Sequence, residues 1–208
     1  MLWLLFAFGS AFFAGITAVL AKIGIEKVNS TLATALRTMV VLAFSWLMVF
    51  LVGSQEQVGR ISGKTLCFLI LSGLSTGASW LCYFRALQLG DVNKVAPIDK
   101  SSTVLTIILA FLILGEPISI PKIIGVLCIG SGTLFMIAKK ETDENPAQSR
   151  SWLLFAMLSA VFASLTSIFG KIGVENVESN LGTAIRTVVV LAMAWLMVFV
   201  SGKQHEIK

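Results

Sequence analysis

The chain has 208 residues, of which 56% are hydrophobic and 13% are charged, and its formal net charge is +5. A soluble domain carries about 25% charged residues, so this composition excludes an ordinary soluble globular protein and requires lipid as the solvent for much of the apolar surface. The positive charge does not indicate a nucleic-acid-binding protein, because Lys and Arg stand singly between apolar runs and form no basic stripe. These residues are instead expected to flank membrane helices.

Seven apolar runs follow one another along the chain, each near the ~20 residues that an α-helix needs to cross a bilayer. The predicted spans are Leu2 to Ala21, Leu32 to Val52, Leu66 to Leu89, Val95 to Leu114, Ile120 to Ala138, Trp152 to Gly170 and Leu181 to Ser201. The first run has no basic residues before it, so we interpret it as a retained helix rather than a signal peptide. The sequence thus predicts an all-α, polytopic membrane protein of about seven transmembrane helices.

A polar stretch from Lys139 to Ser151 separates the fifth run from the sixth. It carries charges of both signs and a proline, and it lacks apolar periodicity, as is typical of an aqueous linker. We therefore predict a five-helix domain at 1–138, a linker at 139–151, and a two-helix region with a short polar tail at 152–208.

The two-helix region repeats the start of the chain at a constant offset. About 32 of roughly 57 aligned positions are identical, including Trp3 and Trp152, Lys22 and Lys171, Arg37 and Arg186, and Trp46 and Trp195. Five predicted spans separate the two starts, so the second copy is expected to enter the membrane from the opposite face. Inverted repeats of this kind are frequent in secondary transporters, where the substrate site lies between the repeats near the midplane. The alternative is that duplication only enlarges a helical bundle.

A second pattern lies between Trp80 and Ala138. The sequence WLCYFRALQLG at 80–90 is followed by VAPI at 95–98, by a helix ending in LGEP at 114–117, and by a glycine-bearing helix at 125–132. This pattern resembles the EamA domain of the drug/metabolite transporter superfamily, and the resemblance covers residues 1–138, with the second copy matching the first two helices of such a domain. It implies a secondary transporter, a permease or exporter, of a small organic metabolite.

The resemblance also implies an assembly. Members of this superfamily join two domains in one ten-helix chain or pair single domains in antiparallel fashion, whereas here the second copy holds only two helices. We therefore expect antiparallel self-association, or a partner that supplies the missing helices, within the plasma (inner) membrane of a prokaryote. The alternative function is that of a truncated or accessory membrane protein without transport activity of its own.

Enzymatic and metal chemistry are not expected. No nucleophile, base and orienting group recur at meaningful spacing, and no phosphate-binding GxxxxGK[ST] sequence is present, which excludes ATP-driven transport by this chain. Cys67, Cys82 and Cys128 lie in apolar runs, and the single histidine, His205, lies in the polar tail. We predict no cofactor and no metal site.

Ionisable residues inside predicted spans cost about 2.5–3.5 kcal/mol each, so each is a candidate functional residue. Asp99 and Lys100 follow Pro97 and precede Ser101, forming a polar half-turn in an apolar run. Neighbouring residues point ~100° apart on a helix, so Asp99 is expected to face inward against a cation, with Arg85 or Arg37 as the candidates. Asp99 is then a substrate- or proton-coupling carboxylate, or else part of a structural ion pair near the interface.

Arg37 and Arg186 lie about five residues inside their spans and either snorkel to the headgroups or line a polar cavity from opposite faces. Trp80 and Tyr83 share a helix face next to Arg85, which is typical of a solute pocket and equally of an interfacial aromatic belt. The cations within the predicted spans, Arg37, Arg85, Lys100 and Arg186, outnumber the single anion Asp99. This excess of positive charge favours an anionic or zwitterionic solute. The distribution of Lys and Arg between the loops favours an external N-terminus.

Overall fold

The computed structural model describes residues 2–24, 30–138, 151–175 and 177–200. These residues form eight α-helices and no strand. The helices are α1 (Leu2–Gly24), α2 (Ser30–Val52), α3 (Gly63–Leu89), α4 (Val92–Lys100), α5 (Ser102–Leu114), α6 (Ile120–Ala138), α7 (Ser151–Gly173) and α8 (Ser179–Val200), and a 3-10 helix (Ser54–Arg60) joins α2 to α3.

Six segments are long and apolar enough to cross a membrane. Five of them are single helices, and α4 and α5 together make the sixth, Val92–Leu114, while α6 adds a shorter apolar stretch at Ile120–Phe135. The prediction of an all-α polytopic protein with about seven transmembrane helices is confirmed. Of the predicted linker, residues 139–150 lie outside the described residues, and Ser151 begins α7.

The fourth span is broken, whereas the sequence predicted one continuous helix. Pro97 has no backbone N–H, which removes a hydrogen bond inside α4. At the break, the backbone N–H of Ser101 donates to the carbonyl oxygens of Pro97 (2.9 Å) and Ile98 (3.1 Å), and its hydroxyl donates to Ile98 at 2.6 Å. Such a hydroxyl bond back to the preceding turn bends a helix. The bend leaves Asp99 and Lys100 at the carboxyl end of α4.

Helix α7 packs along α3 in antiparallel orientation. The hydroxyl of Ser79 donates to the carbonyl oxygen of Ser159 at 3.1 Å, and the hydroxyl of Ser72 donates to the carbonyl oxygen of Thr166 at 2.9 Å. From the first bond to the second, the position moves seven residues back on α3 and seven residues forward on α7. Helix α1 instead ends on the same side as α3, because the Lys22 ammonium donates to carbonyl oxygens in the last turn of α3. The two copies of the repeat therefore run in opposite directions, as predicted.

Helices α2 and α8 pack against each other through equivalent residues. One buried cluster contains Leu32 and Ala35 of α2 with Ala194 and Val198 of α8, and another contains Val49 of α2 with Leu181 and Ala184 of α8. Leu181 repeats Leu32, and Val198 repeats Val49. Leu32 therefore shares a cluster with Val198, and the mate of Val198, Val49, shares a cluster with the mate of Leu32, Leu181. Contacts that recur with the two copies interchanged are what a two-fold axis between the copies produces.

Small residues allow α3 and α8 to approach closely. A methyl group added to Gly73 would lie 2.8 Å from the carbonyl oxygen of Arg186 and 2.8 Å from the Cβ of Val189, and one added to Gly77 would lie 2.8 Å from the sulfur of Met193. In a membrane, helices associate through such close van der Waals packing and through hydrogen bonds between helices. These contacts hold the second copy against α2 and α3, whereas no residue in the most apolar stretch of α1 is buried.

Candidate functional site

A cavity of ≈ 210 Å³ lies among α1, α2, α3, α4, the start of α5, and α7. Its polar and aromatic lining consists of Thr17, Arg37, Ser79, Trp80, Tyr83, Asp99, Lys100 and Ser102. Trp80 precedes the end of α3 by nine residues, or ~14 Å of helix, which places the cavity near the middle of a ~30 Å hydrocarbon core. Because Ala163 of α7 also lines it, the cavity is built from both copies of the repeat.

Arg37 projects from α2 into this cavity and is half-buried. Its guanidinium carbon lies 4.5 Å from the centre of the Trp80 ring and 5.9 Å from that of Phe84. A cation held over an aromatic face away from water gains about 2 kcal/mol. Of the two roles that the sequence left open for Arg37, its position favours the cavity-lining one over snorkelling.

The Asp99 carboxylate is buried and held from two sides. The hydroxyl of Ser159 donates to Oδ1 at 2.6 Å, and the Lys100 ammonium lies 3.1 Å from Oδ2. Of the two cations expected beside Asp99, Arg37 lines the same cavity and interacts with the carboxylate electrostatically, whereas Arg85 lies outside it. The direct ion pair is formed by Lys100, whose long, flexible side chain folds back to Asp99 although the two residues are adjacent.

Two further residues, Ser79 and Ser159, connect α3 and α7 beside Asp99 and were not predicted. Ser79 donates to the carbonyl oxygen of Ser159, and their hydroxyl oxygens are 3.3 Å apart. A signal was present, since Ser72, Thr76 and Ser79 recur at the spacing of one helix face. In an apolar helix such a row indicates hydrogen bonding to a neighbouring helix.

Three of the predicted site residues lie outside the cavity. Arg85 is exposed and donates to the Gln88 side chain at 3.2 Å. Arg186 lies between α3, α7 and α8, with its guanidinium 3.4 Å from the Ser72 hydroxyl. Ser101 uses its hydroxyl within the break of the fourth span. Trp80, Tyr83, Asp99, Lys100 and Arg37 are the predicted residues that the fold brings together.

The arrangement suits a small polar solute. Two cations and one carboxylate line the cavity, so an anionic or zwitterionic molecule complements it electrostatically better than a cation does. The rings of Trp80 and Tyr83 offer apolar contact area beside these charges. Across the described parts of the chain, no group of three or more His, Cys, Asp or Glu residues is placed to hold a metal ion.

The sequence of the chain is similar to those of known proteins. A family model described as the EamA-like transporter family matches residues 1–138. A protein of Sinorhizobium sp, named "Uncharacterized transporter in cobO 3'region", is 46% identical over 134 residues, which are 64% of this chain and 95% of that protein. That relative is therefore close in length to the segment that the family model matches. No solved structure matches the chain.

Proposed function

Because the chain belongs to the EamA-like transporter family, a family of multi-pass membrane proteins, we propose that it is a secondary transporter of a small organic metabolite in the plasma (inner) membrane of a prokaryote. The observation that carries this proposal is the charged cavity near the membrane midplane, lined by side chains of both inverted copies. A site at this depth between opposed repeats is what alternating access requires.

The proposed solute is a small zwitterion or carboxylate. Its anionic group would bind between Arg37 and Lys100, and its apolar part would contact Trp80. The cavity of ≈ 210 Å³ is smaller than the ~300–1,000 Å³ of pockets for drug-sized ligands, which limits the solute to a small metabolite. Asp99 would couple binding to transport by accepting a proton or by binding the cationic group of a zwitterion.

Flux into liposomes tests this proposal. The purified full chain would be reconstituted and supplied with radiolabelled glycine, lactate or tetraethylammonium, which represent a zwitterion, an anion and a cation. We expect uptake of glycine or lactate above that of protein-free liposomes, and little of the cation; Asp99→Asn should abolish the pH dependence of that uptake. Uptake of the cation alone would refute the solute class, and no uptake of any probe would favour the accessory role.

We also propose that a second, oppositely oriented unit covers α1. The α7 residues Ala156, Ala160 and Gly173 are buried, whereas their repeat mates on α1 are exposed. Ala156 belongs to a cluster with Tyr83 of α3, and Gly173 lies beside Leu69 of α3. The exposed face of α1 is equivalent to the face of α7 that is buried along α3. We therefore expect α1 to pack in the same way against an α3-like helix of a second unit. The mass of the protein in detergent would test this: a dimer or larger assembly is expected, and a monomer at all concentrations would contradict it.

A further inference from the structure

We infer that Ser159 is a positioning residue for Asp99, so that the second copy contributes a hydrogen-bond donor that fixes the carboxylate of the first. This inference rests on the proposed coupling role of Asp99. Ser159 lies on α7 and Asp99 on α4, 60 residues apart in sequence, and their oxygens are 2.6 Å apart. The hydrogen bond therefore joins the two copies within the site itself.

The two oxygens of Asp99 are held in different ways. The side chain of Lys100, which holds Oδ2, is 63% exposed and can leave without unfolding anything. Ser159, which holds Oδ1, is fully buried. A solute or proton can consequently replace Lys100 at Oδ2 while Oδ1 stays in place.

The single hydroxyl proton of Ser159 sets the direction of this network. Ionised Asp99 can only accept, so the proton of Ser159 lies on the bond to Oδ1. The Ser79 hydroxyl donates its own proton to the carbonyl oxygen of Ser159 at 3.1 Å, and its oxygen lies 3.3 Å from the Ser159 hydroxyl. Hydrogen bonds thus join α3 to α7 and α7 to α4, and the bond to the charged acceptor is the stronger of the two.

The repeat shows that position, rather than local sequence, gives Ser159 this role. Its mate in the first copy is Ser10, and both serines stand in the pattern Ser-Ala-x-Phe-Ala. Ser10 is exposed on α1, whereas Ser159 faces α3 and α4. The same residue thus becomes part of the site only where the helix packs against α3.

Another serine of α7 provides a matched control. Ser164 is 1% exposed, and its hydroxyl donates to the carbonyl oxygen of Val161 in its own helix at 2.7 Å. Ser159→Ala and Ser164→Ala each remove one buried hydroxyl from α7, and neither changes the side-chain volume much. Only the first removes a donor to Asp99.

The test reads the carboxylate directly by infrared difference spectroscopy on the purified full chain, without any solute. The band of Asp99 is assigned from the difference between the wild type and Asp99→Asn. We expect Ser159→Ala to shift this band, because the carboxylate loses the donor of a charge-assisted hydrogen bond at Oδ1. Arg37 of α2, Tyr83 of α3 and Lys100 of α4 face Asp99 in every variant.

Each outcome separates the two proposals. If Ser159→Ala and Ser164→Ala leave the band equally unchanged, Ser159 does not position Asp99, whatever the flux shows. If Ser159→Ala alone shifts the band, the positioning role stands even when no probe is transported, in which case the proposed function fails by itself.

Discussion

The two copies of the repeat share more than half of their aligned residues, but α1 and α7 lie in opposite surroundings. Helix α7 is buried along α3, while α1 faces outward except where it borders the cavity. Lys22 of α1 binds carbonyl oxygens at the end of α3, whereas its mate Lys171 on α7 pairs with Glu116. The neighbour of each helix, rather than its own sequence, therefore decides what a residue shared by the two copies does.

Helices α2 and α8 show the opposite behaviour, because they are each other's neighbours. The rings of Trp46 and Phe50 are 6.1 Å apart and inclined by 40°, and those of Trp195 and Phe199 are 5.8 Å apart and inclined by 35°. These equivalent ring pairs have similar geometry on the two sides of the pseudo-two-fold axis. Arg37 and Arg186 depart from this equivalence, since one lines the cavity and the other does not.

The largest expected effect is on solute uptake, which should distinguish substitutions of these two arginines. Arg37→Gln removes the cation over Trp80 and one of the two positive charges of the cavity, so we expect solute uptake to fall at least tenfold, which about 2 kcal/mol of lost interaction accounts for. Arg186→Gln should leave uptake per folded molecule within about twofold, since Arg186 lies at a packing interface. Uptake normalised to folded protein is the measurement; equal losses in both variants would contradict this division.

A smaller effect is expected on the stability of the fold, and it should distinguish substitutions of the two glycines that end α1 and α7. A methyl group added to Gly173 would lie 3.0 Å from the Leu69 side chain and 3.2 Å from its backbone nitrogen, while one added to Gly24 meets nothing within 4 Å. We expect Gly173→Ala to destabilise the protein by about 1–3 kcal/mol through overpacking, and Gly24→Ala to leave it unchanged or slightly more stable. Thermal unfolding in detergent measures both, and similar melting temperatures for the two variants would refute the difference in burial.

The smallest effect concerns the start of α8, where Glu178 stands in place of Asn29 of the first copy. Partial burial raises the pKa of Glu178, but hydrogen bonds to its carboxylate, from the backbone N–H groups of Asn180 (2.9 Å) and Leu181 (3.0 Å) among others, outweigh this and lower the pKa below its ordinary value of 4.5. A lowered pKa in the folded state means stabilisation that is complete above the ordinary value and lost as pH falls through the folded value.

The matching variant is Glu178→Asn, which gives the second copy the residue of the first. We expect it to melt slightly below the wild type at neutral pH, and the difference to shrink as the pH falls below about 4.5. Melting curves at neutral and acidic pH check this. A difference that stays constant or grows in acid would mean that the carboxylate does not stabilise α8.

Sequence reasoning predicted the helices well because the apolar runs have the length of a membrane span. The predicted bounds of the fifth span, Ile120 to Ala138, equal those of α6, and the end of the second, Val52, is the end of α2. The break at Ser101 was not predicted, since it depends on where one hydroxyl finds its acceptor. The offset of the repeat and the odd number of spans were enough to predict the inversion.

The site was predictable only in part. Arg37, Asp99 and Lys100 could be selected because they are charged residues in apolar runs, and a charge inside the membrane costs free energy. Their partners followed from contacts between helices far apart in sequence, such as Ser159 with Asp99, and local spacing carries no information about these. Arg85 was a misleading candidate, because it lies about 140° around α3 from Trp80 and faces outward, away from the cavity.

Labelling of single cysteines by a membrane-impermeant maleimide tests the central claim, the inversion of the second copy, most directly. With Cys67, Cys82 and Cys128 replaced, cysteines would be introduced singly at Gln57, Asp91 and Glu178. The backbone N–H of Glu178 donates to the side chain of Gln57 at 3.1 Å, so these two positions should be labelled from one face and Asp91, beyond the end of α3, from the other. Labelling of Glu178 from the same face as Asp91 would mean that the second copy is parallel to the first, and would contradict the account.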